Sequence, residues 1–191
     1  MGVAMVNYAD SHQGRLPPAV VYGESGEPLY SWRVLILPYI EQDALYQDFH
    51  LDEPWDSPHN LALLPRMPGT YAAPGSKKSK LPPYHTVCHV FVGKGTPFEG
   101  REGMRLPGDF PKGTSNTLLV VEAGEPVPWS KPADLNYDPD GPLPDLRGVF
   151  KDGFRACLAD GTRRFVRNEV SESTLRWVIS RDNQTPGIGD W

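Results

Sequence analysis

The sequence lacks most of the features that point directly to a function. Its 191 residues hold only two cysteines and carry a net charge of −5, and we expect no signal peptide at the start of this sequence. No apolar run reaches the roughly 18 residues that a membrane-spanning helix needs. The acidic balance argues against nucleic acid or an acidic membrane surface as the main partner. We therefore expect a soluble chain with one domain over residues 1–191.

Motifs for catalysis and zinc binding are also missing. The segment 23–27 fails the Gly-x-Ser-x-Gly pattern of a serine nucleophile at its last position. On a strand, His85 and His89 would share one face while Cys88 points away, and the sequence suggests no fourth zinc ligand. We expect no catalytic residue, no cofactor-binding residue and no enzymatic activity.

The two cysteines, Cys88 and Cys157, both fall in predicted strands. Two interpretations stay open. Small buried hydrophobic side chains are the one we favour, and a disulfide is the other.

Proline and glycine, in contrast, are abundant. The 21 prolines and 19 glycines make up about a fifth of the chain, which predicts long ordered loops and little regular structure. Prolines are densest over residues 126–144, where they exclude strand pairing over most of the length.

This proline-rich segment also holds an acidic cluster that begins at Asp134. Several carboxylate oxygens on a stiff loop suit calcium, so Asp138, Asp140 and Asp145 are candidate calcium ligands. The other interpretation is a solvated acidic loop.

The order of periodic segments predicts the fold class. Residues 1–9 form the last turns of a helix with Val3 and Val6 on its apolar side, and Ser31, Ser57 and Ser171 each precede a short helix as caps. Alternating patterns predict strands over residues 86–92 and 117–122. Helices, then strands, then one helix indicate an α+β fold with an antiparallel sheet of about four strands.

Residues 154–167 predict the clearest element, a β-hairpin with Asp160-Gly161 as a two-residue type I′ turn. Pairing of Ala159 with Thr162 would set Ala156 opposite Phe165 and bury Phe165 with the apolar residues of the first strand.

The tryptophans Trp32, Trp55 and Trp129 lie in or beside loops, as do several tyrosines. Aromatic side chains on loops are common at binding surfaces. The interpretation we favour is that they pack with prolines to seal a loop-rich fold.

Five segments resemble the DUF1559 family, whose members look like type II secretion pseudopilins. They are MGVAMVNY (1–8), GRLPP (14–18), SWRVLILPYIEQ (31–42), GTSNT (113–117) and ADGTRRFV (159–166). The resemblance runs almost end to end. One departure is Phe150, which stands where the family often carries a histidine, ten residues before Asp160.

The resemblance implies a pseudopilin-like, non-enzymatic structural protein associated with secretion. Residues 1–9 would be the end of a truncated N-terminal helix that anchors the full protein, with this domain outside the cytoplasm in the periplasm or at the cell surface. The implied partners are other copies or secretion-system pseudopilins, and membrane contact would come only through the missing helix. The competing hypothesis is a cell-surface module that binds a saccharide or peptide through its long loops.

Overall fold

Short helices and antiparallel strands alternate in the computed structural model, which describes residues 1–73 and 81–183. The helices are α1 (Gly2–Ser11), α2 (Trp32–Leu35), α3 (Asp43–Asp48), α4 (Pro58–Ala62) and α5 (Glu172–Ile179). The strands are β1 (Val20–Tyr22), β2 (Pro28–Ser31), β3 (His85–His89), β4 (Phe91–Val92), β5 (Leu118–Pro128), β6 (Leu135–Asn136), β7 (Gly153–Leu158) and β8 (Arg163–Arg167). The predicted α+β class is confirmed. No helix among the described residues has the length and apolar character to cross a bilayer.

The central sheet has four antiparallel strands, as predicted, and the structure shows their order to be β3-β5-β7-β8. Strand β5 runs further than predicted and carries Pro126 and Pro128, with Pro128 opposite His85. Its pairing with β7 ends at Val121, so one side of β5 lacks a partner strand where the prolines lie. Proline has no backbone N–H, and on the side of β5 without a partner strand this removes no hydrogen bond between strands. The pair formed by β4 and β6 is parallel.

The central sheet separates two apolar cores. Helix α1 lies on one face, where Met5 and Tyr8 pack in a cluster with Cys88 and Val120 of the sheet. Helix α5 lies on the other face, where Val178 and Ile179 join a second cluster. The sheet residues of that second cluster include Leu118, Val121, Phe154, Ala156, Leu158 and Val166.

Helix α1 turns a different face to the core from the one that its sequence predicts. Gly2, Met5 and Tyr8 are buried, whereas Val3 is 64% exposed and Val6 is half-buried. A Cβ at Gly2 would overlap the Sγ of Cys157 on β7. Because glycine has no Cβ, the helix can approach the sheet closely here, and that contact rotates Val3 outward.

The β7–β8 hairpin forms where predicted, but its turn and register differ. Leu158 pairs with Thr162 around a three-residue loop, and only Gly161 in the loop has positive φ, at +84°. Asp160 accepts a hydrogen bond from the Thr162 N–H at 2.9 Å, which stabilises the loop without left-handed backbone at Asp160.

The extra loop residue shifts the pairing of the two strands by one position. Arg155 lies opposite Phe165, and Phe154 lies opposite Val166. Val166 is therefore buried and Phe165 is 44% exposed, so the prediction that Phe165 joins the core is wrong. A one-residue slip moves every side chain of a strand to the other face.

Several local predictions are confirmed. The Ser31, Ser57 and Ser171 hydroxyls accept hydrogen bonds from the backbone N–H of Arg33, Asn60 and Thr174, respectively, at the starts of α2, α4 and α5. Both cysteines lie in strands and are free, which excludes a disulfide between them in this structure.

The aromatic residues seal the core more than they line its surface. Trp32 and Trp129 are fully buried, and Trp55 is half-buried against the first cluster. Trp129 packs against Phe49 and Tyr71, with ring centroids 5.9 and 5.8 Å apart. This arrangement matches the interpretation that we favour from the sequence.

Candidate functional site

A groove of about 880 Å³ lies between the start of α1 and the β7–β8 hairpin. It is open to solvent on the face of the central sheet that α1 covers only in part. Its lining residues are Met1, Gly2, Val3, Val120, Glu122, Arg155, Ala156, Cys157, Gly161, Arg163, Arg164 and Phe165. The register of the sheet explains this set, since Glu122, Arg155, Cys157, Arg163 and Phe165 all project from the same face.

Charge and aromatic side chains meet on the floor of the groove. The Arg155 guanidinium lies over the ring of Phe150, 4.7 Å from its centroid, and Phe150 packs edge-on against Phe165 with centroids 5.8 Å apart. Phe150 therefore holds an arginine and an aromatic ring in place. This position supports the groove floor through packing.

Glu122 is the acidic group of the groove. Burial raises the pKa of its carboxyl group, while the positive charge of Arg155 opposes that rise. One carboxylate oxygen, Oε2, is buried and has no hydrogen-bond partner among the described residues. Burial also raises the pKa of the neighbouring Cys157 thiol, so this cysteine is less reactive than an exposed one.

The predicted calcium ligands lie elsewhere, in the loop that follows β6. Asp138, Asp140 and Asp145 are all exposed. Asp145 forms an ion pair with Arg147. Hydrogen bonds from the Arg147 side chain and backbone N–H lower the pKa of the Asp145 carboxyl group to about 2. Asp138 accepts a hydrogen bond from the Asp140 N–H at 3.0 Å.

The side chains of Asp138, Asp140 and Asp145 do not converge on one point in the described structure. Within residues 1–73 and 81–183, no group of three or more His, Cys, Asp or Glu side chains is arranged to hold a metal ion. Calcium binding by Asp138, Asp140 and Asp145 stays a prediction that needs a binding measurement.

Asp134, the first member of the acidic cluster, has a structural role that its sequence context does not suggest. Its Oδ1 accepts hydrogen bonds from Arg33 Nη2 at 2.8 Å, the Val90 N–H at 2.9 Å and Trp32 Nε1 at 3.3 Å. The Arg33 and Asp134 side chains are 0% and 2% exposed. This buried ion pair ties the loop after β5 to α2 and to the end of β3.

A half-buried amine, that of Lys112, lies beside the last turn of α5. Lys112 donates a hydrogen bond to the Trp177 carbonyl near the end of α5, and its Nζ lies 4.5 Å from the centroid of the Trp177 ring. Burial lowers the pKa of Lys112 to about 7, an effect that the charge of Asp182 partly opposes. The amine satisfies a carbonyl in the last turn of the helix, which is a stabilising role.

Sequence reasoning missed both the groove and the buried ion pair. Arg33 lies within SWRVLILPYIEQ, where its neighbours suggest an exposed polar residue on a helix. Arg155 and Phe165 belong to the predicted hairpin, but the wrong register placed them on opposite faces. The three-residue loop was the signal that could have corrected this, since Asp at its centre and Gly at its end suit a type I turn with a bulge.

The fold and groove define an α+β protein in which a short N-terminal helix packs on an antiparallel sheet beside an open, arginine-rich groove. The chain belongs to a family described as proteins of unknown function, DUF1559, whose family model SBP_bac_10 matches residues 1–101. No curated protein and no solved structure matched the chain significantly. The expected DUF1559 membership is therefore confirmed.

Proposed function

We propose that this chain is the globular part of a pseudopilin-like structural protein associated with secretion, and that it is not an enzyme. In this proposal an N-terminal helix ahead of Met1 anchors the full protein in the cytoplasmic membrane, with the domain on the outer side. The family membership is consistent with the proposal, and the pseudopilin role itself is what the sequence resemblance implies.

The observation that carries the proposal is the packing of α1 on the antiparallel sheet. Gly2 is buried against Cys157 of β7, and Met5 and Tyr8 continue the contact along the same core. These close contacts fix the orientation of α1 on the sheet, so its N-terminus lies beside Cys157 of β7. Residues ahead of Met1 would leave the domain beside the β7–β8 hairpin and continue away from it as an anchor.

The proposed partners are other copies of the protein or pseudopilins of a secretion system, contacted through the anchoring helix. The competing hypothesis is a module that binds a saccharide or peptide through the long loops at residues 93–112 and 126–144. Trp32 and Trp129 are both fully buried, so neither can stack against a ligand.

The test compares the protein as its gene encodes it, including any residues ahead of Met1, with residues 1–191 alone. We expect the gene product in the membrane fraction, where protease added outside the cytoplasmic membrane should digest it, and residues 1–191 in the soluble fraction. Chemical cross-linking should capture assemblies only when the helix is present. A gene with no apolar segment ahead of Met1, or a product sealed inside the cytoplasm, would contradict the proposal.

A matched pair of variants tests the helix packing itself. Gly2→Leu should lower the free energy of unfolding by about 1–3 kcal/mol, because the new side chain overlaps Cys157. Val3→Leu, at the adjacent exposed position, should leave stability unchanged. Equal effects of the two variants would show that α1 does not pack as described.

A further inference from the structure

The β7–β8 hairpin concentrates positive charge in a chain whose net charge is −5. Residues 153–167 contain four arginines, at positions 155, 163, 164 and 167, and one acidic residue, Asp160. All four arginines are exposed. The chain is acidic overall but carries a locally positive surface on this hairpin. Such a surface attracts negatively charged partners within about a Debye length, roughly 10 Å.

Register places most of this charge on one face. Arg155 lies opposite Phe165, and Arg167 and Arg163 lie opposite Gly153 and Cys157, so these side chains project to the same side as α1. We call Arg155, Arg163, Phe165 and Arg167, together with Val3 of α1, the basic face. Arg163 and Arg167 form no ion pair with any carboxylate among the described residues.

Exposed apolar groups accompany the arginines. Phe165 is 44% exposed and Val3 is 64% exposed, two of the most exposed large hydrophobic side chains in the described residues. Both line the groove of about 880 Å³, together with Arg155 and Arg163. Arginines beside an exposed phenylalanine and an open groove suit a partner that offers anionic groups next to apolar chains.

The acidic groups of the groove and of the hairpin loop leave the charge of this face largely intact. Glu122 is half-buried on the groove floor beside Arg155. Asp160 lies in the loop, where its Oδ1 already accepts hydrogen bonds from the N–H and the hydroxyl of Thr162. Neither forms an ion pair with Arg163 or Arg167.

We propose that the basic face binds the anionic lipid headgroups of a bilayer surface, with Phe165 and Val3 at the boundary with the acyl chains. The orientation of this face toward a membrane rests on the proposed function, because α1 begins beside the hairpin and its anchor would leave there. The binding itself depends only on the described residues. Such contact would hold the domain down against the bilayer from which the anchor emerges.

Vesicle sedimentation with residues 1–191 tests the inference without the anchor. We expect binding to vesicles of phosphatidylcholine with phosphatidylglycerol, no binding to phosphatidylcholine alone, and loss of binding at high salt. The double variant Arg163→Gln/Arg167→Gln should weaken binding about 25-fold, from roughly fivefold for each arginine near an anionic surface. Phe165→Thr should weaken it about tenfold through the lost apolar contact.

The matched control is Arg101→Gln/Arg105→Gln, which removes the same charge from exposed positions outside the groove. It should bind as the unaltered protein does, and thermal melts should establish that every variant is folded. Equal weakening in the control would overturn the inference, because binding would then depend on diffuse charge. Absence of phosphatidylglycerol-dependent binding by the unaltered protein would overturn it directly.

Soluble poly-glutamate separates a lipid surface from an acidic polypeptide. Weak binding of poly-glutamate, together with an effect of Phe165→Thr on vesicle binding, supports the lipid assignment. Tight poly-glutamate binding that Phe165→Thr leaves unchanged would contradict it and favour an acidic protein partner. Failure of any vesicle experiment leaves the proposed anchor unaffected, since fractionation of the gene product tests that anchor separately.

Discussion

Removal of the Asp134 carboxylate should destabilise the domain more than any surface substitution. Asp134 and Arg33 are both essentially excluded from solvent, and the Asp134 Oδ1 accepts hydrogen bonds from two side chains of α2 and from the backbone N–H of Val90. At an effective dielectric constant of about 20, unit charges about 4 Å apart attract by roughly 4 kcal/mol. Asp134→Ala would leave the Arg33 charge buried without a carboxylate.

The expected cost of Asp134→Ala is about 3–5 kcal/mol in the free energy of unfolding, the range found for buried pairs that lose one partner. Arg33 would keep its hydrogen bonds to the Cys88 carbonyl and the Ser31 hydroxyl, which prevents a larger loss. Asp134→Asn retains an oxygen acceptor and should cost about 1–3 kcal/mol. For a domain of this size, Asp134→Ala corresponds to a fall in Tm of about 6–20 °C.

Urea denaturation followed by tryptophan fluorescence measures these differences, provided that the m-value stays constant. Asp145→Ala is the control, because it removes a carboxylate from an exposed ion pair and should leave the midpoint unchanged. The double variant Arg33→Met/Asp134→Leu should recover part of the loss, since an apolar pair avoids the cost of burying charge. A cost below about 1 kcal/mol for Asp134→Ala would refute the reasoning.

Three further outcomes follow from particular contacts. In the hairpin, Val166→Ala should cost about 1–3 kcal/mol and Phe165→Ala less than about 1 kcal/mol, measured by urea denaturation, and the reverse order would contradict the register. Because the pKa of Lys112 is lowered, the unfolded state binds more protons than the folded state between about pH 7 and 10.5, and the free energy of unfolding rises with pH across that window. Lys112→Met should remove about 1–2 kcal/mol of this rise, measured by thermal melts at pH 7 and at pH 10.5. Calcium at the acidic loop would raise Tm in a manner abolished by Asp138→Ala and Asp140→Ala, whereas an unchanged Tm at saturating calcium would dismiss it.

Local signals predicted the elements of this fold well. Each serine cap at Ser31, Ser57 and Ser171 forms in the structure, because capping depends on groups two or three residues apart in the chain. The α+β class and the four-stranded antiparallel sheet were also predicted, since alternation and helical spacing are properties of short windows. The DUF1559 resemblance is likewise a matter of local motifs.

Faces and registers were predicted less well. Phe165 and Val166 exchanged roles because one additional loop residue moved the pairing by one position, and Asp-Gly suits both the two-residue and the three-residue loop. Val3 faces solvent because Gly2 lets α1 approach Cys157, a contact between residues more than 150 positions apart.

The sequence by itself therefore determined the helix caps, the β7–β8 hairpin, the fold class and the family. Only the tertiary structure decided which side chains meet. Asp134 and Arg33 lie about a hundred residues apart, and nothing near either one marks it as buried. The groove likewise forms from α1, β5 and the hairpin, whose arginines converge only when the strands take their final register. Long-range pairing depends on the total burial and polar satisfaction of the folded chain, which no short window of sequence contains.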